Sequence, residues 1–63
     1  MKPGDKVTYQ PHKKAKPQKG IIKELHHSVD NCGWVVFNCN EDWDNYKNYT
    51  GQLTSFNLLR KGW

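Results

Sequence analysis

The chain has 63 residues, of which 35% are hydrophobic and 13% aromatic, and its formal net charge is +4. This size allows one domain with a small core, and the aromatic content excludes a disordered chain. No apolar run approaches the roughly 18 residues of a membrane span. The opening residues, MKPGD, lack the apolar segment of a secretory signal, so a cytoplasmic protein without a membrane partner is expected.

The first strand is predicted from the alternating run GDKVTY, residues 4–9, with Val7 and Tyr9 on one face and Thr8 on the other. Residues 10–19, QPHKKAKPQK, carry two prolines and four lysines. Proline blocks regular strand pairing. We therefore expect an exposed loop there and call it the basic loop.

A second strand is predicted over residues 20–26, GIIKELH. Ile22 and Leu25 are both expected to point inward, and their odd spacing requires a bend or bulge between them. A turn follows at residues 27–31, where Asn31 tolerates a positive φ, as does Gly33 beyond it.

The central strand is predicted over residues 33–39, and its middle, WVVF, is apolar on both faces and should be covered on both sides. Cys32 and Cys39 flank this strand. If it is continuous they lie roughly 20 Å apart, too far for a disulfide. We expect two reduced thiols.

Residues 40–49, NEDWDNYKNY, form a polar segment with three large aromatic residues, which we call the aromatic loop. A fourth strand is predicted over residues 50–55 with Leu53 inward. A single 3-10 turn capped by Ser55 should follow, and residues 60–63 can add a short last strand.

The elements together predict an all-β domain spanning residues 1–63, a small barrel of four to five short antiparallel strands with one 3-10 turn near the C-terminus. Closing such a sheet into a barrel removes its exposed edges.

The order of motifs resembles the SH3-like barrels of the Tudor and KOW type: GDKVTY, a basic loop, GIIKEL, a central WVVF strand and a closing LL turn. The glycine at 20 with apolar residues at 22 and 25 is similar to the KOW pattern. The run WVVFNCNEDWDNYKNYTG and the segment LLRKGW also resemble short phage and prophage proteins of gut bacteria. That resemblance implies a mobile-element origin and no particular activity.

Uneven charge suggests one candidate site. Residues 1–27 hold seven lysines against two carboxylates, whereas residues 28–63 have a net charge of −1. A phosphate-binding face would use five lysines of the first part: Lys13, Lys14, Lys16, Lys19 and Lys23. Because arginine, the better base reader, is nearly absent, binding to DNA or RNA would be non-specific. The alternative is a solvated loop that maintains solubility.

The aromatic loop supplies a second candidate site, for a protein partner. Its members are the three aromatic residues and two acidic neighbours: Trp43, Tyr46, Tyr49, Asp42 and Asp44. Rim aromatics could also hold a methylated ammonium group, as the Tudor resemblance implies, or stack single-stranded bases. The acidic neighbours favour a cationic ligand. The structural alternative is a lid over the small barrel, with Trp43 buried and Tyr46 exposed.

The residue types that bind zinc are present but poorly spaced for a site. Cys32 and Cys39 are not a close pair, and His26 and His27 should point to opposite faces of a strand. We therefore expect no metal and no cofactor. No nucleophile–base set is visible, so we expect no enzymatic activity.

These observations predict a non-enzymatic binding module, a monomer or weak dimer, that acts through a protein partner not identified by the sequence. Aromatic residues anchor protein interfaces more often than other surface residues do. Inhibition of a host protein is one form such binding could take. The alternative function is non-specific nucleic-acid binding through the lysines of residues 13–23. The C-terminal Trp63 should be at least partly covered.

Overall fold

Five short strands in one antiparallel sheet organise the chain in the computed structural model, which describes residues 1–37 and 39–63. The strands are β1 (Lys6–Tyr9), β2 (Gln18–Leu25), β3 (Cys32–Val36), β4 (Gln52–Ser55) and β5 (Leu59–Lys61). Two 3-10 segments, Trp43–Asn48 and Phe56–Leu58, precede and follow β4. The strand order is β4-β3-β2-β1-β5. The first strand therefore lies between the second and the last. The predicted all-β fold class, with short antiparallel strands, is confirmed.

The inner face of the curved sheet carries the main core. Val7, Ile22, Val35 and Leu59 form its buried cluster, and Tyr9, Phe37 and Phe56 pack against it. These residues come from strands that are far apart in sequence, because β5 returns to pair with β1. The inner core therefore forms only when the whole sheet is assembled.

The outer face of β2 and β3 holds a second buried pair. Ile21 and Val36 are register partners, 5% and 1% exposed, and alternation places them opposite Ile22 and Val35. The prediction that the central strand is covered on both faces is confirmed.

The bulge predicted in β2 is also confirmed, since the β2–β3 register shifts between Ile22 and Glu24. The burial predicted for Leu25 is wrong: its side chain is 39% exposed. Leu25 is the last residue of β2 and lies at the rim of the sheet, where too few neighbours remain to cover it.

The inward residue of β4 was also predicted wrongly. Leu53 is 58% exposed, whereas Thr54 is buried. Gln52 pairs with Val35, and Thr54 pairs with Gly33, so these two β4 residues share the inner face with their partners. The pairing register thus sends Leu53 to the outer face, beside Trp34.

Thr8, which the alternation assigns to the outer face of β1, is buried all the same. Its hydroxyl donates a 2.7 Å hydrogen bond to the Gly62 carbonyl. The chain after β5 therefore covers this part of the outer face, and a buried hydroxyl is tolerated because it is paired.

Several predicted boundaries also move. The basic loop ends at residue 17, because Gln18 and Lys19 already pair with Tyr9 and Thr8. The central strand ends at Val36, three residues before its predicted end, and residue 38 lies outside the described residues. Asn31 has the positive φ expected of it.

Three further local predictions have different outcomes. The predicted turn near the C-terminus is the segment Phe56–Leu58, with Ser55 at its N-cap but without a side-chain capping hydrogen bond. The 3-10 segment within the aromatic loop was not predicted. Gly33 lacks the positive φ expected of it; a Cβ there would lie 2.5 Å from the Glu24 carbonyl, so crowding is the reason for glycine.

Candidate functional site

The aromatic loop folds back onto the sheet, and its polar groups bond to each other and to β2. The Tyr49 hydroxyl donates to Asp42 Oδ2 at 2.9 Å, and Asn45 Nδ2 donates to Asp42 Oδ1 at 2.9 Å. Lys23 Nζ donates to the Tyr49 carbonyl at 2.8 Å. The first 3-10 segment contacts β2. Its first residue, Trp43, packs against Trp63, and the ring of Trp63 lies under the amine of Lys19, which is on the same face of β2 as Ile21. The loop therefore covers the outer face of β2 and β3.

The hydrogen bond to Asp42 also changes the acidity of Tyr49. The Asp42 carboxylate accepts a hydrogen bond from the Tyr49 hydroxyl and thereby raises the pKa of Tyr49 above its ordinary value of 10.0. Desolvation and the negative charge of Asp42 act in the same direction. The raised pKa is thus a consequence of the Asp42–Tyr49 contact.

Trp43 packs against Trp63, whose ring centroid lies 4.9 Å away at an interplanar angle of 45°. The Trp63 indole N–H donates a 2.8 Å hydrogen bond to the Gly20 carbonyl. Trp63 is 38% exposed, so the prediction that it is partly covered is confirmed. Together these contacts fix one end of the aromatic loop to β2.

The aromatic residues of this loop are all half-buried, so Trp43 is less buried and Tyr46 less exposed than predicted. Among the described residues, the aromatic partner of Trp43 is Trp63, and neither Tyr46 nor Tyr49 joins them in a cage. Asp44 is exposed, whereas Asp42 is engaged by Tyr49 and Asn45. This arrangement favours the lid alternative over an open aromatic binding surface.

A different surface is formed by the outer face of β2, β1 and β5. Thr8 is the register partner of Lys19 on one side and of Arg60 on the other, so these three residues form a row across the sheet. Lys6 lies two residues before Thr8 and therefore on the same face of β1. Lys6 and Lys19 each place Nζ over the Trp63 ring, 4.6 and 5.3 Å from its centroid.

Gln10 connects the basic loop to this row. Its Nε2 donates to the Ala15 carbonyl at 3.0 Å and lies 3.5 Å from the Lys13 carbonyl, while its Oε1 accepts from Arg60 Nη2 at 3.2 Å. One amide group thus holds the loop backbone beside Arg60. As a result, the exposed side chains of Lys13, Lys14 and Lys16 extend the cationic surface of the strands.

We define the basic face as this surface; its members are Lys6, Lys13, Lys14, Lys16, Lys19 and Arg60. Of the five lysines predicted from the sequence, four belong to it, and Lys23 is directed instead toward the aromatic loop. The sequence reasoning missed Lys6, Gln10 and Arg60. The alternation of residues 6 and 8 along β1, continued to residue 10 just after the strand, could have identified the first two. Arg60 could not be found in this way, because it lies 50 residues from Gln10.

The histidines after β2 stack on one another and order a turn. His26 and His27 do not point to opposite faces: their rings stack at 5.2 Å and 9°, and His26 also stacks on Trp34. His26 Nδ1 accepts the backbone N–H groups of Ser28 and Val29, which orders the turn after β2. Both cysteines are free. Within residues 1–37 and 39–63, no group of three or more histidine, cysteine or acidic side chains could hold a metal ion.

Among the described residues, no helix is long and apolar enough to cross a membrane. In comparisons with known proteins, no family model, no curated protein and no solved structure matches this chain. The functional argument therefore depends on the surface chemistry of the chain itself.

Proposed function

We propose that this protein is a non-enzymatic binding module that attaches to the phosphate backbone of DNA or RNA through the basic face. The observation that carries the proposal is the double contact of Gln10, which holds the backbone of the basic loop beside Arg60. Loop lysines that are merely solvated need no such attachment. A pre-ordered cationic surface loses less conformational entropy when it binds.

The high lysine content of the basic face indicates whether binding to DNA or RNA should depend on base sequence. Five of the six members of the basic face are lysines, which neutralise phosphates as point charges, and Arg60 is partly occupied by Gln10. Contacts of this kind position a protein on the phosphate backbone and do not distinguish one base sequence from another. Non-specific binding is expected, with four or five phosphate contacts giving a slope of about −4 for log K against log salt on duplex DNA.

The test is a ¹H–¹⁵N NMR titration of the labelled protein with a short duplex and a single strand, at low and moderate salt. Shifts should appear at the basic face and weaken steeply with salt. Lys13→Ala/Lys14→Ala should reduce the magnitude of the salt slope by about 2. The matched control, Lys2→Ala/Lys47→Ala, also lowers the net charge from +4 to +2, but it alters exposed lysines outside the basic face. Equal effects of the two variants would leave only a net-charge effect and contradict the proposal.

Gln10→Ala separates geometry from charge. It leaves the formal charge of +4 unchanged but removes the contacts that hold the basic loop beside Arg60. We expect weaker binding and an increase in the local mobility of residues 11–16. Unchanged affinity despite that mobility would show that the pre-ordering of the loop contributes nothing.

Binding of a protein partner to the aromatic loop is the alternative function. It would have to leave the Asp42–Tyr49 hydrogen bond and the Trp43–Trp63 contact intact or replace them. The exposed residues of the loop, Asp44 among them, and the partly exposed Trp63 are groups that such a partner could reach without opening the loop. A partner whose NMR footprint covers Asp44 and spares the basic face would favour this alternative.

A further inference from the structure

β4 has one free edge. It lies at the end of the sheet and pairs with β3 alone among the described strands. The Phe56 N–H donates to the Asn31 carbonyl at 2.9 Å, immediately beyond the last register pair, Cys32 with Ser55. In an antiparallel pair, hydrogen-bonded and non-hydrogen-bonded positions alternate. The backbone groups of Leu53 and Ser55 therefore face away from β3, toward the free edge.

A cavity of about 400 Å³ runs along this edge. Tyr9 and Phe37 contribute tilted rings to its wall, with centroids 5.4 Å apart, and Leu58 lines it as well. Leu53 and Leu58 are 58% and 38% exposed. Free backbone donors and acceptors beside an apolar cavity are what a protein needs to add an extended peptide to its sheet.

The charge around the cavity indicates the peptide's chemistry. All the residues that line the cavity are uncharged. Two of these residues, Tyr9 and Gln18, pair with each other and flank the basic loop, which the structure limits to residues 10–17. That loop carries three lysines and no acidic residue. A second copy of this chain would bring the same basic loop and a net charge of +4 to the contact, which disfavours self-pairing.

We propose that the free edge of β4 binds an extended acidic segment of a partner protein by strand addition. The backbone groups of Leu53 and Ser55 pair with the segment. Its apolar side chains contact Tyr9, Phe37 and Leu58, and its carboxylates face the lysines of the basic loop. This second binding activity uses a different strand edge from the nucleic-acid binding proposed above, and the two ligands would compete for the lysines of the basic loop.

The probe is a capped peptide of about seven residues in which valine and glutamate alternate, long enough to cover the four residues of β4. The control peptide alternates valine and lysine. In ¹H–¹⁵N spectra the glutamate peptide should shift residues 52–55 and slow the hydrogen exchange of the Leu53 and Ser55 amides. The lysine peptide should bind at least about tenfold more weakly.

Two substitutions at one position test the backbone pairing. Leu53→Pro removes the N–H at the free edge and keeps the β3–β4 hydrogen bonds, since the Leu53 N–H faces away from β3. Leu53→Ala removes a similar amount of side chain and keeps the N–H. The proline variant should bind the glutamate peptide at least about tenfold more weakly than the alanine variant. If Leu53→Pro fails to fold, the exchange of the Leu53 and Ser55 amides in the unaltered protein still shows whether these backbone groups pair with the peptide.

Any of three results with the peptides would overturn the inference: no shift at residues 52–55 with about 1 mM glutamate peptide, equal binding of the two peptides, or unchanged exchange at Leu53 and Ser55. Concentration-dependent shifts of residues 52–55 without peptide would identify a second copy as the occupant and also overturn it. Leu53→Pro should leave nucleic-acid binding unchanged, so failure of this inference and failure of the proposed function are distinguishable.

Discussion

The outer face of the sheet has two halves that differ in the polarity of their residues and in what covers them. Over β2 and β3, the apolar Ile21 and Val36 are buried, and the aromatic loop on this side is tied to β2 by the Lys23–Tyr49 hydrogen bond. Over β1 and β5, the corresponding positions are Lys6, Thr8 and Arg60. Among the described residues, the short chain end at Gly62 and Trp63 lies over them. Apolar strand residues require a cover in water, whereas cationic ones do not.

This division explains why the most conspicuous sequence feature and the best-supported surface differ. The large aromatic residues of the loop remove apolar area from water in a domain too small to do so with its inner core alone. The lysines are less conspicuous in the sequence, but the structure gathers them on the uncovered half. We therefore propose a structural role for the aromatic half and a binding role for the basic half.

The largest effect is expected from breaking the covered half at Val36. Val36→Asp would bury an unpaired carboxylate at a position that is 1% exposed, at a cost of about 4 kcal/mol or more. That cost is a large part of the total stability of a domain this size, so the domain should unfold. Dispersion of the ¹H–¹⁵N spectrum measures this directly. Val29→Asp, at a residue 53% exposed, is the control and should remain folded.

A smaller but clear loss is expected at Gly20, which lies where the two halves meet. A Cβ at this position would lie 2.8 Å from Val35 Cγ1 and 3.0 Å from Phe37 Cδ1. Gly20→Val should therefore destabilise the domain by about 1 to 3 kcal/mol through overpacking. Urea denaturation compares it with Gln18→Val at an exposed position of the same strand. Equal stability of the two variants would mean that the neighbours of Gly20 move without cost.

The attachment of the aromatic loop is expected to depend on pH. Asp42 raises the pKa of Tyr49 above 10.0 in the folded state, so the folded state holds this proton more tightly than the unfolded chain does. The contribution of the Asp42–Tyr49 contact to the free energy of unfolding is then complete below about pH 10. It is lost as the pH rises through the folded-state pKa of Tyr49.

Tyr49→Phe should remove this alkaline dependence, and Tyr46→Phe should retain it. Thermal unfolding between pH 8 and 12, with ultraviolet absorbance to follow phenol ionisation, checks both variants. Identical profiles for the two variants would rule out the Asp42–Tyr49 contact as the cause.

The smallest effect on stability is expected on the basic half. Lys14→Ala should change the free energy of unfolding by less than about 0.5 kcal/mol, because the side chain is exposed in the basic loop. The same substitution should reduce the magnitude of the salt slope for DNA binding by about 1. A loss of stability comparable to that of Gly20→Val would mean that the basic loop supports the fold, and the comparison between the two halves would fail.

The sequence by itself determined the strands with local signals. Alternation identified β1, the doubly apolar run identified β3, and the spacing of Ile22 and Leu25 required the bulge that lies between Ile22 and Glu24. These features depend on neighbouring residues, and a period of two along a strand is visible without knowledge of the partner strand.

Only the tertiary structure decided the side of β4 that is buried, the direction of the aromatic loop and the composition of the basic face. The burial of Thr54 rather than Leu53 follows from the register with β3. A slip of one residue in that register would exchange the two faces. The bond between Arg60 and Gln10 spans 50 residues. Such contacts arise from the return of β5 to β1, because strand pairing at long range is set by the assembled sheet and not by the local pattern.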